Sequence, residues 1–288
     1  MRMPRPTRSG IDTSPDGRMS LEHHLKELRY RVCVSLAAVV VGTIVAYVFH
    51  GTVMHVITKP YCGLPDNYRL VHDRCTLFVS GVLDAFTVTL KLSLYAGVVL
   101  SSPVWLFQIW RYITPGLYAH ERRYAVTFVA ASMSLFALGG AFAWLTLGKG
   151  LHFLLSFATG TNGISALLSF TSYLSFVVAM ILIFAVSFEF PLVVVMLNRV
   201  GVLSAERLRK WSRGIVFGIF VFAAVATPSQ DPFTMSALAV PMVVLFGVAV
   251  GLATLHDHKQ TRIRAASPDA DLADDELSSL PADDDLRV

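Results

Sequence analysis

The sequence predicts an all-α membrane protein: six transmembrane helices, both termini cytoplasmic. Two observations carry that reading. Hydrophobic residues make up 54% of the 288-residue chain and charged ones only 15%, a balance that points to lipid as the main solvent. The apolar residues also gather into six stretches, and Lys and Arg crowd into alternate connections between them. Lipid satisfies no backbone polar group, so each stretch is read as a helix.

In chain order, residues 1 to 18 are rich in Pro, Arg, Ser and Gly and read as a disordered segment. A helix is expected to start after Ser20, whose hydroxyl can cap it. Leu21, Leu25, Leu28 and Val32 then form an apolar stripe at the membrane surface that runs into the first span. The spans are read at Val32 to Phe49, Val82 to Phe107, Ala125 to Leu147, Tyr173 to Leu197, Gly214 to Ala226 and Phe233 to Ala253. The fifth is short for a full crossing, and Pro228 and Pro232 bracket the turn after it, so the fifth and sixth helices are expected to form a shortened hairpin. Residues 19 to 253 form the membrane domain. Residues 254 to 288 are read as a disordered cytoplasmic tail, with eight acidic residues between Asp269 and Asp285.

Charge sets the orientation. Nineteen Lys and Arg residues fall in the N-terminal segment, the Gln108 to Tyr124 and Asn198 to Arg213 loops, and the tail, against four on the opposite face. By the positive-inside rule both ends are cytoplasmic. The net charge of +4 is thus topogenic, and no basic run carries the interleaved aromatics of a nucleic-acid groove. The first apolar stretch lacks a small-residue cleavage site and is expected to stay as a helix. Cys33 falls in the first span, while Cys62 and Cys75 share the first external loop, where a disulfide between them is possible. No metal spacing and no cofactor motif is present, so neither group is expected.

Three ionisable residues lie in or near hydrocarbon: Asp84, Lys91 and Glu189. Asp84 reads as a marker of the outer interface. Glu189 follows a long apolar run and precedes Pro191. A mid-membrane charge costs about 2.5–3.5 kcal/mol on insertion scales, so Glu189 either bonds a neighbouring helix or lines a polar concavity. On the cytoplasmic side, Glu27 and Glu121 stand out. Spacing alone pairs Glu27 with Arg31 at i,i+4, and Glu121 with Arg122 or Arg123.

Four motifs then appear in order: His24 to Arg31; Ser102-Pro103 through Thr114-Pro115-Gly116-Leu117-Tyr118 to His120-Glu121-Arg122-Arg123; Tyr173-Leu174-Ser175-Phe176 through Ser187-Phe188-Glu189-Phe190-Pro191; and Thr227-Pro228 through Asp231 to Ala239-Val240-Pro241. Across roughly residues 19 to 250 the chain resembles the TatC family of the twin-arginine protein translocase. The resemblance implies a glove-shaped bundle in the bacterial cytoplasmic membrane. It implies a receptor for twin-arginine signal peptides, and export of folded proteins driven by the proton-motive force. Glu27 and Glu121 match the family's signal-recognition carboxylates; Arg29 and Tyr112 belong to the same surface. Pro60 matches a sensitive proline of the first external loop, Asp231 the aspartate of the last external turn, and Glu189 the membrane glutamate of the concave face. The implied partners are the single-span subunits TatA and TatB, the signal peptides, lipid and further copies of the receptor, with no nucleic acid. The chain departs from the family pattern at Phe233-Thr234-Met235, where a Ser-Gln pair is common, and near Gly247, where a Glu is common.

No phosphate loop, Gly-x-Ser-x-Gly elbow or His-Glu-x-x-His is present, which argues against an enzyme. A proton-coupled solute transporter would account for the buried charges. It leaves unexplained the charged motifs of the cytoplasmic loops.

Overall fold

A computed structural model describes residues 21–63, 78, 81, 83–113, 122–159, 169–229 and 231–265. The expected disordered N-terminal segment, Glu121, Cys75 and the acidic stretch lie outside them. Among the described residues are nine helices and one isolated bridge, between Phe78 and Ser169. The helices are α1 (Leu21–Val48), α2 (His50–Cys62), α3 (Asp84–Leu100), α4 (Ser102–Ile113), α5 (Arg122–Thr159), α6 (Phe170–Ser187), α7 (Phe190–Arg199), α8 (Ala205–Ala226) and α9 (Pro232–Ala265).

Among the described residues, four segments are long and apolar enough to cross a membrane: Leu25–Val48, Val126–Phe157, Phe170–Arg199 and Pro232–Arg262. A fifth is added if α3 and α4, bent by 51°, form one span. The bend sits where the sequence reads Ser101-Ser102-Pro103, because Pro103 has no N–H for the carbonyl of Val99. Trp105 Nε1 donates to the carbonyl of Val98 at 3.0 Å and braces the break. α8 is not in that set, because five charged residues fall in its first nine. Only its second half matches the short fifth span of the sequence reading.

The expected short sixth helix is corrected: α9 runs for 34 residues. It passes the domain boundary placed at 253, because Asp257 is held at the start of α8: its Oδ1 accepts from Asn198 Nδ2 at 3.0 Å and its Oδ2 from the backbone N–H of Ala205 at 2.7 Å. α5 likewise outruns its predicted end at Leu147, since Leu151 and Leu155 beyond Lys149 are buried. α2, expected as part of the first external loop, is a helix. Its Ile57 and Tyr61, one turn apart, are both buried.

The chain divides into two compact units, residues 1–134 with 167–178, and residues 135–166 with 179–288. In the first, α1 packs most extensively on α3. Their backbones touch through two glycines: a Cβ on Gly42 would lie 2.7 Å from the carbonyl oxygen of Gly97, and one on Gly97 would lie 2.5 Å from the nitrogen of Thr43. Small residues allow this approach in a membrane, where dispersion rather than hydrophobic burial joins helices. Tyr173 of α6 donates to the carbonyl of Ile57 at 2.6 Å, tying α6 to α2.

In the second unit α8 and α9 form an antiparallel hairpin and α7 packs on α9. Gly139 of α5 lies against α6, where a Cβ would meet the carbonyl oxygen of Phe184 at 2.6 Å. α7 ends in a turn at Gly201 with φ of +82°, and the N–H of Val202 donates to the carbonyl of Leu197 at 3.0 Å. Phe217 and Val225 of α8 are 72% and 75% exposed, as side chains facing lipid are.

Candidate functional site

The site assembles at the start of the first unit. Glu27 stands one turn before Arg31 on α1, and the i,i+4 pairing read from spacing is present: Arg31 Nε donates to Glu27 Oε1 at 3.1 Å, and Arg31 Nη2 donates to the same oxygen. Arg31 Nη1 reaches α4, where it donates to Gln108 Oε1 at 3.4 Å. Arg31 is buried, 8% exposed, which its position between two acceptors makes tolerable. Glu27 itself is partly exposed. Both bonds fall on Oε1, so among the described residues Oε2 stays open as an acceptor.

A carboxylate with one oxygen held by a buried arginine is stiff and aimed. Its second oxygen can take a guanidinium from outside in a charge-assisted bond, for which a planar fork is better suited than an ammonium. Tyr112 lies one turn beyond Gln108 on α4, so the two share a face, and its side chain is half-buried. Arg29 is exposed but stands two residues from Glu27 and therefore on another face of α1. The structure thus joins Glu27 to Gln108 and leaves Arg29 apart. The site contact that sequence reasoning missed is Gln108; no local signal marks it, because the bond to Arg31 spans 77 positions.

Pro60 lies within the last turn of α2, not in an irregular loop, and is half-buried beside the buried Tyr61. Cys62, which ends that helix, is disulfide-bonded, while Cys33 is free.

Glu189 occupies the break between α6 and α7. Its N–H turns back to the carbonyl of Val186 at 3.0 Å, and its own carbonyl accepts from the N–H groups of Leu192 and Val193 at 3.0 and 3.2 Å. Pro191 withholds a donor from the carbonyl of Ser187, which causes the break. Both carboxylate oxygens of Glu189 are buried. Asp84, the first residue of α3, accepts at Oδ2 from the N–H of Gly81 at 2.8 Å in the turn before the helix. Lys91 is exposed on α3.

Asp231 is buried at the start of α9 and caps it: the N–H of Thr234 donates to Oδ1 at 2.8 Å, and the hydroxyls of Ser229 and Thr234 both donate to Oδ2. The departure from the family pattern at Phe233-Thr234-Met235 therefore retains a hydroxyl that engages the aspartate. Burial opposes ionisation of Asp231, but the hydroxyl and backbone donors outweigh it and hold the carboxyl below its usual range. A lowered folded-state pKa contributes stability above the ordinary carboxylate value of about 4, and that stability fades as pH falls through the lowered value. Melting curves in detergent are expected to show Asp231→Asn less stable than the parent at neutral pH, with the gap narrowing in acid. A gap that stays constant with pH would remove the capping charge from the account.

The chain matches the family described as "Sec-independent protein translocase protein (TatC)" over residues 23–241. It is 50% identical over 277 residues to the Sec-independent protein translocase protein TatC of Frankia casuarinae, covering 94% of this chain and 76% of that one. It is 35% identical over 243 residues to the TatC of Escherichia coli K12, covering 83% and 88%. A crystal structure of the twin-arginine translocase receptor TatC is similar at a TM-score of 0.66 and 31% identity, over 81% of this chain and 99% of that one. With the family match spanning most of its length and its apolar helices in place, this chain belongs to the TatC family of Sec-independent protein translocase proteins.

Proposed function

We propose that the chain is the receptor subunit of a twin-arginine translocase in a bacterial cytoplasmic membrane, with six spans and both termini cytoplasmic. The observation that carries the reading is Glu27 Oε2, open among the described residues on a carboxylate that Arg31 holds by its other oxygen while itself bonding Gln108. Glu27, with Glu121 from the α4–α5 connection, receives the paired guanidiniums of a signal peptide, and Tyr112 flanks them. Arg29 adds to the same surface from the neighbouring face of α1. The four motifs and the family membership support this reading.

Glu189 serves the next step. The break between α6 and α7, which joins an ionisable group to a donor-poor carbonyl within an apolar run, supports a role as a polar point for the apolar part of the signal to pass. The single-span TatA and TatB subunits dock on the second unit, on its exposed α8–α9 face and near the Asp231 turn, and copies of the receptor associate with one another. Proton-motive force drives export. Cys75 is the partner of Cys62 and pins the end of α2, beside Pro60, to the first external loop.

Photo-crosslinking tests the reading. A probe placed beside the Arg-Arg of a signal peptide is expected to label α1 near Glu27 and α4 near Gln108, and a Lys-Lys peptide is expected to label them weakly. In the same membranes, Glu189→Ala is expected to insert normally and export poorly. Equal labelling by both peptides, or unchanged export, would remove the corresponding part.

A further inference from the structure

The first turns of α8 carry four cations, Arg207, Arg209, Lys210 and Arg213, and among the described residues none of them is paired with a carboxylate. Arg207 Nη1 donates to the carbonyl of Val202 at 3.4 Å, and Arg209 Nη2 to Thr254 Oγ1 at 3.0 Å. Glu206 is the one acid of the segment. Trp211 stands among them, 65% exposed. A cavity of about 620 Å³ opens here, with Leu203, Glu206, Arg207, Lys210, Trp211 and Ile215 in its wall. A face that is cationic and aromatic at once calls for an occupant that is anionic and partly apolar.

We propose that the occupant is the chain's own acidic segment, residues 269–285, folded back onto this face and covering Trp211. Its composition complements the face: eight Asp and Glu residues with Leu272, Leu277 and Leu280 between them. The hairpin gives it the reach. The bond from the N–H of Ala205 to Asp257 sets the start of α8 level with Asp257, and Arg209 meets Thr254 further along, so the two helices run antiparallel. α9 continues from Asp257 to Ala265, about 12 Å of helix. Returning that distance and advancing about 8 Å along α8 brings the chain to Lys210. The stretch from Ala266 to Glu276 spans up to about 36 Å when extended, which is ample.

A tethered segment meets its site at an effective concentration in the millimolar range, so weak contacts suffice to hold it. Exposed charges are screened over about 8 Å at physiological ionic strength, so docking weakens as salt rises. The tail then acts as an internal competitor, which any anionic partner of this face must displace.

The test uses the full chain with Cys33→Ser, in nanodiscs of neutral phosphatidylcholine. Ala273→Cys in the tail is paired with Val202→Cys, beside Arg207, or with Leu255→Cys, exposed on α9. A short bismaleimide is expected to join the Val202 pair several-fold more than the Leu255 pair. That preference is expected to vanish in molar salt, or when Asp274, Asp275 and Glu276 become Asn, Asn and Gln. Equal crosslinking at both sites, or indifference to salt and neutralisation, would overturn the proposal. So would loss of the Val202 crosslink alone in phosphatidylglycerol discs, because the face would then belong to lipid phosphate.

Discussion

Gly97→Leu is expected to remove most of the chain from the membrane fraction, while Gly247→Leu leaves its level unchanged. The contrast follows from what each position faces. At Gly97 even a Cβ would sit 2.5 Å from the backbone nitrogen and from the hydroxyl oxygen of Thr43, and backbone does not move aside as a side-chain tip does. A Cβ on Gly247 would meet no atom of another element within 4 Å among the described residues. Gly97→Ala already overfills the contact by one methyl, for which about 1–3 kcal/mol is typical of a packed core. Leucine would part α1 from α3, the most extensive pairing of the first unit, and with them the joint that carries Glu27 and Arg31. Membrane levels and detergent melting of the three variants check this. A stable Gly97→Leu would mean that the α1–α3 crossing is not what holds the unit.

Much of the fold was legible because lipid imposes a simple rule of length and apolarity. The first apolar run became α1 from Leu21 onward, the Tyr173 to Leu197 run became α6 and α7 with a break at Phe188-Glu189, and the last run became α9. What was not legible rests on long-range contacts. α2 is short and mixed in character, and its helix is secured by Tyr173, more than a hundred residues away, bonding to Ile57. The charged half of α8 read as loop, yet it is capped by Ser204 and by Asp257 reaching across from α9. The third span was expected to end at Leu147, whereas a Cβ on Gly150 beyond it would meet Thr234 of α9 at 2.9 Å. There the glycine serves close packing rather than termination. The site was half legible in the same sense: Glu27 and Arg31 announce each other by spacing, and Gln108 does not.

The second large effect concerns Glu27. Glu27→Gln keeps an amide oxygen that can still accept from Arg31, so the joint to Gln108 is retained and only the charge is lost. A hydrogen bond to a charged group contributes about 1.5–3 kcal/mol, which converts to roughly 10–100-fold in affinity for an incoming guanidinium. Lysine offers no planar fork, so a Lys-Lys peptide has less to lose. The pairing with Arg31 sharpens this expectation. An arginine already on Oε1 fixes the direction of Oε2, and a ligand that binds there pays less to order the carboxylate.

The most direct test is equilibrium binding of matched Arg-Arg and Lys-Lys signal peptides to the purified receptor, with Glu27 intact and as Gln, alone and combined with Glu121→Gln. The account predicts that the substitutions weaken the Arg-Arg peptide by roughly 10-fold or more and bring it close to the Lys-Lys peptide. Undiminished Arg-Arg binding by the doubly neutralised receptor, or an equal loss for both peptides, would contradict it.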